Sequence, residues 1–277
     1  MTTTNGSRRW LITGANSGFG LAIAQAALAA GDVVVAGSRK VEALDGLVAA
    51  HPGAVTAVAL DVTDPEQVAA AATGEIDVLV NNAGHGLLGA LEELTDEQLR
   101  RVLETNVFGA LAMTRAVLPG MRARRRGHIV QMSSVGGVVG NPGHAAYATS
   151  KFALEGASEA LAAEVAPFGI RVTIVEPGPF RTDFAGRSMT FAEAIPDYAD
   201  TPAGALRSRF RAQDGVQPGD PARGAAAILA TVRAPSAPLR LPLGVEAVTR
   251  IRAKLQAQLA DLDVCADLSQ GTAYADQ

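Results

Sequence analysis

The sequence lacks the features that indicate a secreted or membrane-bound protein. Of its 277 residues one is a cysteine, Cys265, so no disulfide can form within the chain and a cysteine-rich metal cluster is excluded. No run of about 18 uncharged apolar residues occurs, and the polar segment Met1–Arg9 leads into Trp10–Thr13 without the apolar core of a signal peptide. We therefore expect a cytoplasmic protein with no membrane partner.

An excess of positive charge is also missing. The chain has 24 Lys and Arg residues against 28 Asp and Glu, a formal net charge of -4. This balance argues against nucleic acid as a partner and favours small molecules or protein. The basic run Met121–Gly127 is interpreted as the end of a helix, because cations favour the last helical turn and glycine often follows it.

Apolar residues, by contrast, are plentiful at 48% of the chain, enough to bury a large core. Short β-branched runs alternate with Ala-rich helical segments, and the runs are Trp10–Thr13, Val33–Ala36, Val55–Leu60, Val78–Val80, Ile129–Met132, Arg171–Val175 and Leu239–Leu243. This alternation is typical of βαβ units with a buried parallel sheet. The sequence predicts an α/β fold: a Rossmann-type, doubly wound parallel sheet in a single domain, 1–277, with helices on both faces.

Helix boundaries can be predicted from local signals. Capping-box patterns begin at Thr63 and Thr95, and the predicted helices are Pro65–Thr73, Asp96–Leu118, Pro221–Arg233 and Val245–Leu262. Between 182 and 221 the periodicity fades, which indicates a substrate-binding loop or lid. We expect the tail 263–277 either to be frayed or to cover a neighbouring subunit.

A glycine-rich turn, Thr13–Gly20, lies between the first strand and the following helix. Glycines at 14, 18 and 20 permit a tight turn in which backbone N–H groups approach a phosphate, and the helix N-terminus favours an anion. The spacing is not that of the G-x-G-x-x-G dinucleotide motif. Because many turns need glycine only for their geometry, the turn alone leaves both interpretations open.

The end of the second strand, about 20 residues beyond the turn, points to the cofactor. An acidic residue here would bind the ribose of NAD, and none is present; the sequence instead reads Ser38, Arg39, Lys40. A guanidinium grips a phosphate bidentately, and Ser38 can donate a hydrogen bond to it. We expect NADP(H), with NAD less favoured, although Arg39 and Lys40 could also be solvated loop residues.

Tyr147 and Lys151 are four residues apart in a helical segment, so their side chains share one face. A nearby ammonium is expected to lower the pKa of the phenol toward working pH. Ser133 and Ser134 follow the strand Ile129–Met132, at the sheet edge where open α/β folds bind ligands. A hydroxyl here could polarise a substrate oxygen.

Taken together, the turn Thr13–Gly20, the segment Asn81–Gly84, Asn106, Ser134, the Tyr147–Lys151 pair and Pro177–Gly178 resemble the short-chain dehydrogenase/reductase family in order and spacing, from about Trp10 to Thr182. The resemblance implies a general acid/base at Tyr147, a pKa modifier and ribose ligand at Lys151, a carbonyl orienter at Ser134 and a proton-relay residue at Asn106. The cofactor-binding residues that follow from the turn, the strand end and the resemblance are Gly14, Asn16, Ser17, Gly18, Phe19, Gly20, Ser38, Arg39, Asp61, Val62, Asn82, Ala83, Gly84, Tyr147, Lys151, Pro177, Gly178 and Thr182.

The implied function is an NADP(H)-dependent ketone or aldehyde reductase, or the reverse alcohol dehydrogenase, that transfers hydride. The alternative is a non-catalytic, nucleotide-sensing regulatory protein on the same fold, which would need no proton donor. The resemblance also implies a homodimer or homotetramer. His85 and His144 have no partner at metal-ligand spacing, so no metal is expected. An apolar lid is predicted from Phe184, Met189, Phe191 and Tyr198, which favours a partly hydrophobic substrate.

Overall fold

A computed structural model describes residues 6–212 and 215–272 of the chain. The strands in these ranges are β1 (Arg9–Thr13), β2 (Val33–Ser38), β3 (Val55–Ala59), β4 (Val78–Asn81), β5 (Gly86–Leu88), β6 (Gly127–Met132), β7 (Ile170–Pro177), β8 (Met189–Phe191) and β9 (Arg240–Leu243). Seven of these described strands form a parallel sheet in the order β3-β2-β1-β4-β6-β7-β9, and β5 pairs with β8. The predicted doubly wound parallel sheet is confirmed.

The helices alternate with these strands along the chain. They are α1 (Gly18–Ala29), α2 (Asp45–Ala50), α3 (Pro65–Ala71), α4 (Asp96–Leu103), α5 (Ala110–Arg124), α6 (Ala145–Val165), α7 (Pro202–Ala212), α8 (Pro221–Arg233) and α9 (Val245–Gln270). Short 3₁₀ turns lie at Val41–Leu44, Leu91–Glu93, Val135–Gly137, Ala166–Phe168 and Pro196–Tyr198. No helix in the described ranges is long and apolar enough to cross a membrane.

The sheet has a hydrophobic core on each face, which is why its strands are continuous apolar runs. On β1, Trp10 and Ile12 pack in one core with α1 and α8, whereas Leu11 between them packs in the other core with α5 and α6. Since successive side chains of a strand point to opposite faces, only a run without polar interruptions can fill both cores.

Helix starts were predicted at the correct places, with one change of capping residue. Thr95 and Gln98 form the predicted capping box at α4. At α3 the residue that caps is Asp64, whose carboxylate accepts hydrogen bonds from Glu66 N and Gln67 N, and the expected cap at Thr63 is wrong. Pro65 occupies the first helical position, so the cap falls on the residue before it.

Two predicted helix ends are wrong. The predicted helix Asp96–Leu118 is divided by a π-helical turn at Glu104–Gly109 and runs on through α5 to Arg124, after which Arg125 adopts a left-handed conformation with φ 52°. The basic run thus does end a helix. Likewise α9 continues past the predicted end at Leu262 to Gln270, so the tail is helical up to that residue. Of the tail 263–277, residues 273–277 lie outside the described ranges.

Candidate active site

The carboxyl ends of the parallel strands bring the predicted site residues to one edge of the sheet. The segments that lie there are the glycine turn at the end of β1, Ser38–Lys40 at the end of β2, Asn82–Gly84 after β4, Ser133–Ser134 after β6 and Pro177–Gly178 at the end of β7. They come from distant parts of the sequence. Parallel pairing alone aligns their ends, because every strand runs in the same direction.

The glycine turn excludes side chains at Gly14 and Gly20. Gly14 has φ 64°, a conformation that other residues rarely adopt, and a Cβ on Gly20 would lie 2.2 Å from the Gly14 carbonyl oxygen. Asn82 holds the turn from the neighbouring strand, because its Nδ2 donates to Thr13 O at 2.9 Å and to Gly14 O at 3.1 Å.

The N-terminus of α1, which follows this turn, keeps its hydrogen-bond donors available. Its N-cap, Ser17, makes no capping hydrogen bond through its side chain, and the first turn contains no acidic residue within the described chain. Uncapped N–H groups and the helix dipole favour an anion at this position. Thr182 comes within 3.3 Å of a Cβ built on Gly18, so the segment after β7 lies against the turn.

Thr13 is an organising residue that the sequence prediction missed. Its Oγ1 accepts hydrogen bonds from Asn82 N at 2.9 Å and Ala83 N at 2.8 Å, and it contacts Val80 O at 3.4 Å. These bonds fix the segment after β4 against the turn after β1. The signal was a threonine directly before the first glycine, a residue whose hydroxyl can accept and donate at once.

At the end of β2, Arg39 is exposed and makes no hydrogen bond or ion pair with any described residue. Ser38 is buried, and its hydroxyl donates to Lys40 O at 3.0 Å, so it is already engaged within the loop. Partial burial raises the pKa of Asp61, but two hydrogen bonds from Thr63 and the charge of Arg39 outweigh it and leave that pKa below its usual value. The loop therefore presents a free guanidinium beside an ionised carboxylate.

The other predicted cofactor residues frame the same edge. Val62 is buried and packs against Gly109, where a Cβ would lie 2.5 Å from its Cγ2. Gly178 donates its N–H to Leu243 O at 3.0 Å, and the ring of Phe19 lies 4.9 Å from that of Phe180. Asn16, Ser17, Gly84 and Pro177 lie in the segments already described, partly exposed except for Pro177, which is buried.

Tyr147 and Lys151 meet on one face of α6, as predicted. The Lys151 ammonium lies 5.6 Å from the centre of the Tyr147 ring and donates to Met132 O at 2.7 Å. Burial lowers the pKa of Lys151 to about 8. Burial raises the pKa of Tyr147 to about 12, against a smaller lowering by the hydrogen bond with Ser134. The expected lowering of the tyrosine pKa by the ammonium is wrong for the protein alone, because desolvation of the phenol dominates.

Ser134 hydrogen-bonds with Tyr147, and Asn106 hydrogen-bonds with Ser150, the residue before Lys151. A Cβ on Gly136 would lie 3.3 Å from the Tyr147 ring and 3.5 Å from the Ser134 Oγ, which accepts a hydrogen bond from Gly136 N. Asn106, within the π-helical turn, accepts from His85 N at 3.0 Å and donates to His85 O at 2.9 Å. Its Nδ2 also donates to the Ser150 hydroxyl at 3.0 Å. π-Helical turns often occur at functional sites, and this one turns Asn106 inward.

A buried ionic cluster behind the site was also missed. Ser133 donates to Glu155 at 2.5 Å, and Arg240 bonds Glu155 and Glu176. Glu155 is four residues after Lys151 on the same face of α6, and Glu176 precedes Pro177. Burial, with a smaller effect from Glu159, raises the pKa of Glu176 to about 7. The four-residue spacing of Glu155 from Lys151 was the available signal, but its partner on β9 could not be seen in the sequence.

An apolar cluster lies over the phenol. Phe184, whose ring is 5.4 Å from that of Tyr147, packs in this cluster with Leu88, Met189, Phe191, Leu206 and Phe210. The ring of His144 lies 5.8 Å from Tyr147 and 5.2 Å from Phe210, buried and with neither nitrogen hydrogen-bonded to a described residue. Burial lowers the pKa of His144 to about 4. Tyr198 is not part of this cluster, and its hydroxyl donates to the exposed Glu92.

The chain is similar to several known oxidoreductases. It is 42% identical to the oxidoreductase BOA17 of Botryotinia fuckeliana over 246 residues, 86% of this chain and 89% of that protein. It is 45% identical to the 3-ketodihydrosphingosine reductase of Bacteroides thetaiotaomicron over 199 residues, 69% of this chain and 71% of that protein.

Solved structures share the fold. A short-chain dehydrogenase from Streptomyces avermitilis is 47% identical with a TM-score of 0.92, covering 98% of this chain and 100% of that one. One from Burkholderia cenocepacia, solved with NADP, is 29% identical with a TM-score of 0.73 (92% and 97%). A 3-ketoacyl-(acyl-carrier-protein) reductase from Brucella melitensis, solved with NADH, is 27% identical with a TM-score of 0.70 (85% and 96%). Since the profile described as short chain dehydrogenase matches residues 8–192, more than half of the sequence, the chain belongs to the short-chain dehydrogenase/reductase family of oxidoreductases.

Proposed function

We propose that this protein is an NADP(H)-dependent oxidoreductase that interconverts a ketone or aldehyde and its alcohol, with Tyr147 as the general acid/base. The observation that carries the proposal is the placement of a buried phenol, with Lys151 and Ser134 beside it, at the sheet edge that also carries the uncapped N-terminus of α1. The phenol can transfer a proton, and the N-terminus of α1 can bind an anionic cofactor.

The residues of the glycine turn fit a dinucleotide. Gly14, Gly18 and Gly20 with the first N–H groups of α1 would hold the pyrophosphate, and Lys151 would contact the nicotinamide ribose. When bound, the nicotinamide supplies hydride to a carbonyl carbon or accepts it from an alcohol.

The chain's own residues control the proton. With a pKa of about 12, the Tyr147 phenol keeps its proton at neutral pH and can donate it to the oxygen of a carbonyl that is being reduced. The Ser134 hydroxyl, close to that ring, orients the same oxygen and stabilises its developing charge. Without a bound cofactor the tyrosine is thus protonated at neutral pH, which is the form that reduction of a carbonyl requires.

Two features support NADP over NAD. Arg39 has no hydrogen bond or ion pair with any described residue, so its guanidinium is available for a phosphate. No carboxylate occupies positions 38–40, where one would accept hydrogen bonds from a ribose diol. Asp61 lies near enough to Arg39 for the charge of the guanidinium to lower the pKa of the carboxyl group. An arginine between this carboxylate and a phosphate would be well oriented for both.

The substrate is proposed to be partly hydrophobic. The wall above Tyr147 consists of Phe184, Met189 and the other side chains of the apolar cluster, so a reactive carbonyl next to apolar bulk would bury that bulk there. A relative named as the reductase of a 3-keto compound agrees with a ketone substrate. The segment 182–221 supplies Phe184, Met189, Phe191 and Leu206, and we propose it as the substrate-binding lid.

The test is a turnover assay with NADPH and NADH across ketones and aldehydes of increasing apolar size. We expect NADPH oxidation, rising catalytic efficiency with apolar size, and a loss of at least about 100-fold in Tyr147→Phe. Tyr198→Phe is the matched control, because its phenol contacts the exposed Glu92 and should leave turnover unchanged. Near-normal turnover in Tyr147→Phe would exclude the assigned role.

A further inference from the structure

The C-terminal helix α9 leaves the body of the protein. Over its 26 residues, Ala247 near the start is the one fully buried position among the described side chains of the helix. From Leu255 to Cys265 every residue is exposed. A helix of this kind gains almost no packing energy from its own chain, although packing of an amphipathic face supplies most of the stability of helices in proteins.

One face of α9 carries a continuous apolar stripe, which we define as Val248, Ile251, Leu255, Leu259 and Leu262. The steps of three and four residues place these side chains along one side of the helix. Leu255, Leu259 and Leu262 are 50%, 60% and 64% exposed. A row of large apolar side chains left in water along a helix is typical of an interaction surface rather than of a solvated one.

The charges of α9 are divided between its two halves. At the start of the helix Glu246 forms an ion pair with Arg250. Beyond that pair, Arg252 and Lys254 lie in the first half, and Asp261, Asp263 and Asp267 lie in the second half. The three acidic residues would be repelled by an anionic membrane, which selects amphipathic helices with basic polar faces. A surface that is basic at one end and acidic at the other is complementary to itself when it is turned end to end.

We infer that α9 is a homotypic docking surface, in which the apolar stripes of two copies of this chain pack antiparallel around a twofold axis near Ala257. In that arrangement Arg252 faces the Asp263 of the second copy along one flank of the stripe, and Lys254 faces its Asp261 along the other. The two residues of each pair lie on one flank of the helix, so the twofold operation brings opposite charges together. Leu255 and Leu259 lie at the centre of the contact.

The first test is the mass of the full chain in solution, measured by light scattering over a range of concentrations. The double variant Leu255→Asp with Leu259→Asp should halve the mass of the assembly. Its dissociation constant should rise by at least about 100-fold, because buried central residues dominate interface energy. Val264→Asp is the matched control, since Val264 is 84% exposed on the opposite face of the same helix. An unchanged mass in the double variant, or an equal loss in the control, overturns the inference.

Charge exchange tests the antiparallel orientation. Lys254→Asp should weaken association, and the combination Lys254→Asp with Asp261→Lys should restore it, because the pair is exchanged on both copies.

In a Cys265→Ser background, Gln258→Cys should form an intermolecular disulfide, whereas Val248→Cys should not, because two copies of residue 248 would be about 27 Å apart. Crosslinking of Val248→Cys indicates parallel helices and overturns the arrangement.

A flotation assay with phosphatidylcholine–phosphatidylserine vesicles decides the remaining alternative. We expect no co-flotation of the wild-type chain. Flotation that is lost in Leu255→Asp with Leu259→Asp, together with an unchanged mass in solution, would assign the stripe to a membrane and overturn the inference.

Discussion

The two edges of the seven-stranded sheet carry polar groups in very different states. At the amino edge, the buried Asp32 accepts hydrogen bonds from Arg8 N, Trp10 Nε1 and Arg233, and Arg171 donates twice to backbone carbonyls. At the carboxyl edge, the His144 ring has no hydrogen-bonding partner among the described residues, and the Tyr147 phenol hydrogen-bonds with Ser134.

The comparison indicates at which edge polar side chains stabilise the fold and at which edge they remain available to bind a ligand. Leaving a buried donor or acceptor without a partner costs stability. At the amino edge Arg233 and His128 each have one nitrogen without a partner but keep a hydrogen bond through another, whereas both nitrogens of His144 at the carboxyl edge lack a partner among the described residues. Mutations at the amino edge should therefore affect stability, and mutations at the carboxyl edge should affect activity.

The largest expected effect is at the carboxyl edge. Lys151→Met should lower kcat about 1,000-fold, because it removes the ammonium that lies 5.6 Å from the centre of the Tyr147 ring and that we propose to bind the cofactor ribose. The wild-type rate of reduction should fall as pH rises through about 8, where Lys151 loses its proton. The variant should lack this decrease in rate. Stopped-flow turnover across pH 6 to about 10 measures both. If the variant keeps this decrease in rate, a group other than Lys151 is responsible for it.

The corresponding change at the amino edge should act on stability alone. Asp32→Ala should lower the free energy of unfolding by about 3 kcal/mol, because Trp10 Nε1 and the Arg233 guanidinium lose their acceptor. Urea unfolding measures the loss, and kcat of the folded fraction should be unchanged. Asp96→Ala, at an exposed helix start, is the control and should cost under about 1 kcal/mol. A large fall in kcat would contradict the division between the edges.

A smaller effect should separate the two cofactors. Arg39→Asp should raise the KM for NADPH about 30-fold and leave that for NADH unchanged or lower, since a carboxylate repels the phosphate and accepts hydrogen bonds from a ribose diol. Arg122→Asp, an equal change of charge at an exposed position on α5, should alter neither KM. Equal effects on both cofactors would contradict the assignment of Arg39 to the phosphate.

The last effect concerns stability at the amino edge and is confined to acid pH. Burial, with help from the charges of Arg171 and Arg8, lowers the pKa of His128 to about 3. The unfolded chain therefore binds more protons at this histidine between pH 6.5 and 3, and the stability that it contributes is lost as pH falls through that window. His128→Gln should remove up to about 3 kcal/mol of this pH dependence. Urea unfolding at pH 7 and at about pH 4 measures it.

Much of the site could be predicted because its signals are local. The glycine turn needs residues without Cβ at particular positions, and Tyr147 and Lys151 share a helical face at a spacing that any α-helix provides. Asn106 was selected as a site candidate from the family resemblance, but its π-helical turn and its hydrogen bonds with His85 and Ser150 were not predicted, because they join residues from distant parts of the sequence. The bonds of Thr13 to the segment after β4 join residues that are about 70 positions apart in the sequence.

The sequence by itself determined the α/β class, the order of the elements and the local turns, since these follow from periodicities of two and 3.6 residues and from glycine stereochemistry. Only the tertiary structure decided the burial of Tyr147, the partner of Glu155 on β9 and the exposure of α9. Those properties depend on which distant segments exclude water from a side chain. A linear pattern does not contain that information, because desolvation is set by neighbours in space.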